Sequence, residues 1–202
     1  MRRWCFSLVL LLACLPAQAD LSALNRVLRQ QAELGGFDIC HGGGCAEVEH
    51  AALNAVEWAQ VRAVFEPLPQ SAEDERACIA AAIGVLEGIV GIKTATATDR
   101  GGTFGNAAYP GQMDCNDEAA NSTTYMKLMA QDGLIRFHAL TDTRTRGFFF
   151  NGWPHTTAAI RDKRSGALYA VDSWFYDNGA PAVILPLSTW KTGWKPDDSP
   201  AR

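Results

Sequence analysis

The chain has 202 residues, a net charge of −4 and 48% hydrophobic residues. That length suits one domain with a sizeable core and is short for two. The acidic balance, with no basic run, leaves no electrostatic footprint for nucleic acid or an anionic membrane, so the expected partner is a protein, a peptide or a small molecule.

Met1-Arg2-Arg3, an apolar stretch over residues 4–15, Pro16 and then Ala17-Gln18-Ala19 follow the charged, apolar and small-residue order of a cleaved signal peptide, residues 1–19. The apolar stretch is too short to span a bilayer, and no later stretch is expected to be long enough. The sequence therefore predicts an exported, periplasmic or secreted product with no transmembrane segment, comprising one domain over residues 20–195 and a polar tail over 196–202. Leu11-Leu12-Ala13-Cys14 also resembles a lipoprotein cleavage site, which would instead leave a lipid on Cys14.

Helical periodicity runs through Leu21, Leu24, Val27 and Leu28 until Gly35-Gly36, predicting a helix over 20–34. Residues 37–44 read as a glycine-rich turn. Val48, Ala52, Val56 and Val61 predict a second helix over 45–65, closed by Pro67 and Pro69. Ser71 caps a third, which carries Cys78, Ile79, Ile83, Leu86 and Val90. Residues 94–113 are rich in glycine and small polar residues. A loop that long inside a compact domain suggests function, so Arg100-Gly101-Gly102 through residues 109–111 are expected to form one wall of a cleft.

Asp114 is placed to cap the next helix, which Gly133 stops. The pattern then turns to strands. They are expected over 134–140, 147–150, 156–160, 168–171 and 182–187, with Lys163-Arg164-Ser165-Gly166 as a turn between the third and fourth.

The most specific feature is Asp114-Cys115-Asn116-Asp117-Glu118 at a helix start, followed by Trp153-Pro154-His155 and Ala170-Val171-Asp172-Ser173-Trp174. A thiolate, not a thiol, attacks; a helix N-terminus favours the anion, and a histidine that shuttles the proton completes the activation. A four-residue loop at 163–166 sets Asp162 opposite Ala167, Thr157 opposite Asp172 and His155 opposite Trp174. His155 and Asp172 then lie on one sheet face as diagonal neighbours, where the carboxylate can orient the imidazole; a loop one residue different would separate them.

These three motifs resemble the bacterial transglutaminase-like cysteine peptidases over residues 113–176, about a third of the chain. The resemblance implies an α+β, papain-like core: a helical N-terminal part, then a nucleophile-bearing helix packed on an antiparallel sheet. It implies Cys115 as nucleophile, His155 as general base and acid, and Asp172 as orienter. Some members bind calcium beside the cysteine, which would fall on Asp114 and Asp117, although Asn116 stands where an acidic residue is expected. The same two residues also read as simple helix-start carboxylates. No cofactor is otherwise required. The oxyanion donors would be the Cys115 backbone N–H and the Gln112 side chain. Trp153 and Trp174 flank the triad and are candidates for substrate contact. Water or an amine would release the acyl group, so hydrolysis and acyl transfer share the site. A non-catalytic binding module on the same fold is the alternative.

In an exported protein Cys40 and Cys45 are the local candidates for a disulfide, leaving Cys78 over. Cys115 paired with Cys78 is a competing arrangement. Cys40, Cys45 and His50 could instead hold zinc, but the cysteine spacing exceeds the usual one and no second ligand pair is evident.

Overall fold

The computed structural model describes residues 21–104, 110–147 and 154–197. The leader with Cys14, residues 148–153 including Trp153, and residues 198–202 lie outside them. In chain order the elements are α1 (Leu21–Arg29), β1 (Phe37–His41), β2 (Glu47–Ala51), α2 (Ala55–Ala63), α3 (Ala72–Thr94) and α4 (Cys115–Gln131). Then follow β3 (His138–Arg146), β4 (His155–Asp162), β5 (Leu168–Asp172), β6 (Val183–Pro186) and α5 (Leu187–Lys191).

The class is α+β. One sheet has the order β3-β4-β5-β6 and a small second sheet pairs β1 with β2, all antiparallel. Helix α4 sits at the centre, against β1 on one side, β3, β4 and β5 on another, and α1 and α3 besides. Its Met126, Leu128 and Met129 meet Ile79, Ile83 and Leu86 of α3 and Ala158, Ile160 and Val171 of the large sheet in one buried core. Burying side chains of this size stabilises the fold by roughly 1.5–3 kcal/mol each. Helix α4 is therefore held by the core along its length.

Helices α3 and α4 start where their caps predict. The Ser71 hydroxyl accepts from Asp74 N and the Asp114 carboxylate from Asn116 N and Asp117 N. Helix α3 is also long and apolar enough, by length and composition, to cross a bilayer, which corrects the expectation that no segment after the leader is. Its Ile79, Ile83, Leu86 and Val90 are fully buried in this fold.

Residues 37–65 depart from expectation. The predicted turn contains β1, and the predicted helix divides into β2 and the shorter α2. Gly42, Gly43, Gly44 and Cys45 all have positive φ, from 62° to 91°, and fold the chain back so that Cys40 pairs with Val48. Strand pairing thus overrides a helical spacing that rested on a few small apolar residues.

The strand predicted over 134–140 gives way to β3, which starts only at His138, while the strand predicted over 147–150 lies, except for its first residue, outside the described residues. The fully buried Glu75 carboxylate accepts the N–H groups of Arg136, Phe137 and His138, and also meets His138 Nδ1 at 2.9 Å. Residues 134–137 bend round that side chain instead of pairing. At the other end, Pro186 closes β6 and α5 follows at once, an element the sequence pattern did not suggest.

Candidate active site

Cys115 is the first residue of α4 and only 5% exposed. The helix start is doubly braced. Asp114 N donates in return to the Asp117 carboxylate at 3.0 Å, completing a capping box. The loop closed by the Cys40–Cys45 disulfide then docks on both carboxylates: Gly43 N and Cys45 N donate to Asp117 at 2.8 and 2.6 Å, and Gly44 N donates to Asp114 at 2.9 Å. Asn121, one turn and a half along α4, grips the other side of that loop, accepting from Cys40 N at 2.7 Å and donating to Cys40 O at 2.8 Å. The glycine-rich segment of the N-terminal third is therefore a clamp on the start of α4.

This arrangement decides two of the ligand expectations. Both sulfurs are committed to each other, and His50 pairs with Asp38 at the surface, so Cys40, Cys45 and His50 do not form a zinc site. The four carboxylate oxygens of Asp114 and Asp117 all accept N–H groups of the chain itself, so these residues do not fit a calcium site. Among the described residues no group of three or more His, Cys, Asp or Glu could hold a metal ion. The disulfide fits an oxidising, exported environment. It closes a loop with a sequence separation of 5. Replacing both cysteines by serine is expected to lower the unfolding free energy by ~2 kcal/mol, read as a lower urea midpoint at unchanged slope.

The β4–β5 hairpin has the predicted register. Ala158 pairs with Val171 and Arg161 with Leu168, and Asp162 N donates to Ala167 O. His155 and Asp172 consequently share a face, and His155 Nε2 lies 2.7 Å from Asp172 Oδ2. A carboxylate only accepts, so Nε2 carries the proton and Nδ1 presents a lone pair. Both residues are buried, at 7% and 2% exposure. Rings enclose the imidazole on three sides: Trp174, Phe175 and Trp190 stand 4.7, 5.4 and 5.5 Å away. The indole N–H of Trp190 donates to the same Asp172 oxygen at 2.6 Å.

Helix α4 packs on β4, and the backbone N–H of Thr156, next to His155, points at the Cys115 sulfur, as does the N–H of Cys115 itself. Both favour the anion, yet they do not prevail. Burial, helped by the negative charges of Asp114 and Asp172, pushes the thiol up to about 12. This corrects the expectation that the helix start lowers it. The resting group is therefore a neutral thiol. Cys115 and Cys78 are both free, which excludes the disulfide between them.

Behind Cys115 lies a cluster of buried acids that the sequence did not single out. Glu118, one turn after Cys115, lies near Glu87 of α3 and Asp99 of the long loop, close enough for their charges to act on it, and accepts a short hydrogen bond from Ser173, the residue after Asp172. Asp99 in turn accepts Met113 N at 2.6 Å, and Glu87 accepts Gly179 N at 3.1 Å. Carboxyls crowded together in a buried site cannot all ionise. Burial pushes Glu87 up to about 8, Asp99 to about 7 and Glu118 well above its usual range, each reinforced by its neighbours' charge. Asp117 also rises to about 7, from burial and the adjacent Asp114.

The long loop stands beside the site. Gly102 N donates to Trp174 O and the Trp174 indole donates to Thr103 O, each at 2.7 Å. A side chain at Gly101 would meet Phe175 O at 2.6 Å, which explains that glycine. Exposed Phe104 leans on Trp174 at 5.9 Å. Gln112 is spent on the loop itself: Nε2 donates to Thr98 O at 3.0 Å and Oε1 accepts Arg100 N at 3.1 Å. Thr156 N–H, missed by the sequence reading because a backbone group has no residue signature, is the better-placed donor beside the sulfur. A cavity of about 460 Å³, lined by Lys127, Gln131, His138 and Lys163 among others, lies at the far end of α4 and touches none of these residues.

No family model, curated protein or solved structure matches this chain. The functional reading therefore rests on the geometry.

Proposed function

We propose that the protein is an exported cysteine amidase or peptidase of the transglutaminase-like type, with a papain-like core and a protein or peptide substrate. The observation that carries the reading is the buried His155–Asp172 pair beside a thiol at a helix start. The reading takes residues 1–19 as the export signal. His155 Nδ1 removes the Cys115 proton as sulfur bonds to the carbonyl carbon, and the carbonyl π electrons move to oxygen. The Cys115 and Thr156 N–H groups, both beside the thiol, are assigned as the donors to that oxygen. Collapse re-forms the carbonyl and expels the amine, which takes the proton from His155 and leaves a thioester at Cys115. Water then hydrolyses the thioester, or an amine takes the acyl group.

Asp172 keeps the imidazole in the reactive tautomer and stabilises its cation. A non-catalytic binding module is the second reading, favoured by the high pKa and near-complete burial of the thiol. The test uses p-nitrophenyl acetate with a Cys78→Ser background. The expected result is a burst of p-nitrophenol stoichiometric with protein, abolished by Cys115→Ala and slowed about 10²–10⁴-fold by His155→Ala. An undiminished burst in Cys115→Ala would sink the proposal; no burst, with peptide binding kept in Cys115→Ala, would establish the binding module.

A further inference from the structure

We propose that Trp190 is a positioning residue of the triad, an inference that rests on the cysteine-hydrolase reading for its effect on rate but not for its geometry. Trp190 comes from α5, an element separate in sequence from every predicted motif. It is fully buried, and its indole N–H and His155 Nε2–H converge on one atom, Asp172 Oδ2, at 2.6 and 2.7 Å. The same ring stands 5.5 Å from the imidazole, so one side chain both holds the carboxylate and walls the histidine.

The indole is itself fixed. Leu187 and Ala170 pack on it, and the Arg146 guanidinium lies over its ring, 4.4 Å from the centroid. Arg146 also donates to the Trp190 carbonyl, and it is the residue directly opposite His155 across β3 and β4. The hairpin that bears the base thus also carries the clamp on its orienter.

A buried indole N–H needs some acceptor, so satisfying Trp190 alone would be an ordinary packing arrangement. Two features separate it from that. The acceptor oxygen is the one that orients the base, and a second donor draws charge from that oxygen. Donation by Trp190 therefore fixes the rotamer of Asp172 and limits how strongly the carboxylate holds the imidazolium. With the donor removed, Asp172 grips the protonated imidazole harder and aims it less narrowly. Acylation should then slow, and the acid limb of its rate–pH profile should move to higher pH.

The decisive variant replaces Trp190 site-specifically by 3-benzothienylalanine, which keeps the shape and substitutes sulfur for the N–H. Trp190→Phe is the encoded companion. Two readouts are taken on the full chain: acylation by p-nitrophenyl acetate against pH, and the His155 Nε2–H resonance in protein carrying ¹⁵N-labelled histidine. The expected result is a thermal midpoint near that of the parent, acylation slower by about tenfold, an acid limb at higher pH and a displaced His155 resonance. A resonance and acid limb unchanged in the benzothienyl protein would overturn the proposal. A parent protein that never acylates would overturn the hydrolase reading alone, because the resonance still decides whether Trp190 positions the pair.

Discussion

Asp172→Ala is expected to slow acylation by p-nitrophenyl acetate about 10³–10⁴-fold, and Asp172→Asn by less. The order follows from the two hydrogen bonds on one oxygen. Alanine leaves His155 Nε2–H and Trp190 Nε1–H buried without an acceptor, and the imidazole free to turn. Asparagine offers an amide oxygen that can take both donors. It keeps the tautomer and loses only the negative charge facing the imidazolium. Single-turnover kinetics on both variants, with circular dichroism to confirm the fold, checks the ranking; equal losses would mean that charge, not orientation, is what Asp172 contributes.

The second large effect is on stability and follows from the acids behind the nucleophile. Glu87, Asp99 and Glu118 all have folded-state values above those of the unfolded chain. The folded protein therefore binds more protons, and the stabilisation is fully present below the unfolded carboxyl range. It is lost as pH rises towards and through about 7 for Asp99 and about 8 for Glu87. Each carboxyl that stays protonated in the fold while ionised in the unfolded chain lowers the unfolding free energy by about 1.4 kcal/mol per pH unit.

The thermal midpoint should accordingly fall steadily from about pH 5 to about pH 8, by ~2–4 °C per kcal/mol lost. Glu118→Gln keeps a side chain able to meet Ser173 and its acidic neighbours while removing one titration, so its midpoint should fall less steeply. An identical pH slope in Glu118→Gln would show that Glu118 is not part of the proton-sharing set. The same acids tie together the parts of the site, since Asp99 holds Met113 N two residues before Cys115 and Glu118 holds the residue after Asp172. Loss of acylation at high pH should therefore accompany the loss of stability.

Local signals carried much of this site. The Asp114 cap, the Gly133 stop and the four-residue turn at 163–166 are each decided by residues within a few positions, and each lies where the sequence predicts. Because side chains alternate along strands, the turn length alone was enough to put His155 and Asp172 on one face.

What depended on distant partners was not legible. The disulfide loop read as a free-standing turn because nothing local shows that Gly43 and Cys45 spend their N–H groups on Asp117, more than 70 positions away. Helical spacing over 45–65 could not reveal that residues 47–51 have a strand to pair with. The lowered pKa expected for Cys115 came from the helix start alone and left out burial and the charge of Asp172, which only the assembled fold brings near. The role of Trp190 had no local signal, since its hydrogen bond spans two elements and a change of secondary structure. Asp114 and Asp117 read as helix-start carboxylates and have that role, while Glu118, which carried no reading of its own, faces inward to Ser173 and Glu87.

The most direct test of the account is a peptide-mapped mass analysis of mature protein quenched in acid seconds after mixing with p-nitrophenyl acetate. The account predicts an acetyl group on Cys115 as a hydroxylamine-labile thioester, none on Cys78, and none on Cys115 when His155 is alanine. Acetylation confined to Cys78 or to surface lysines, with Cys115 unmodified in the parent protein, would contradict it.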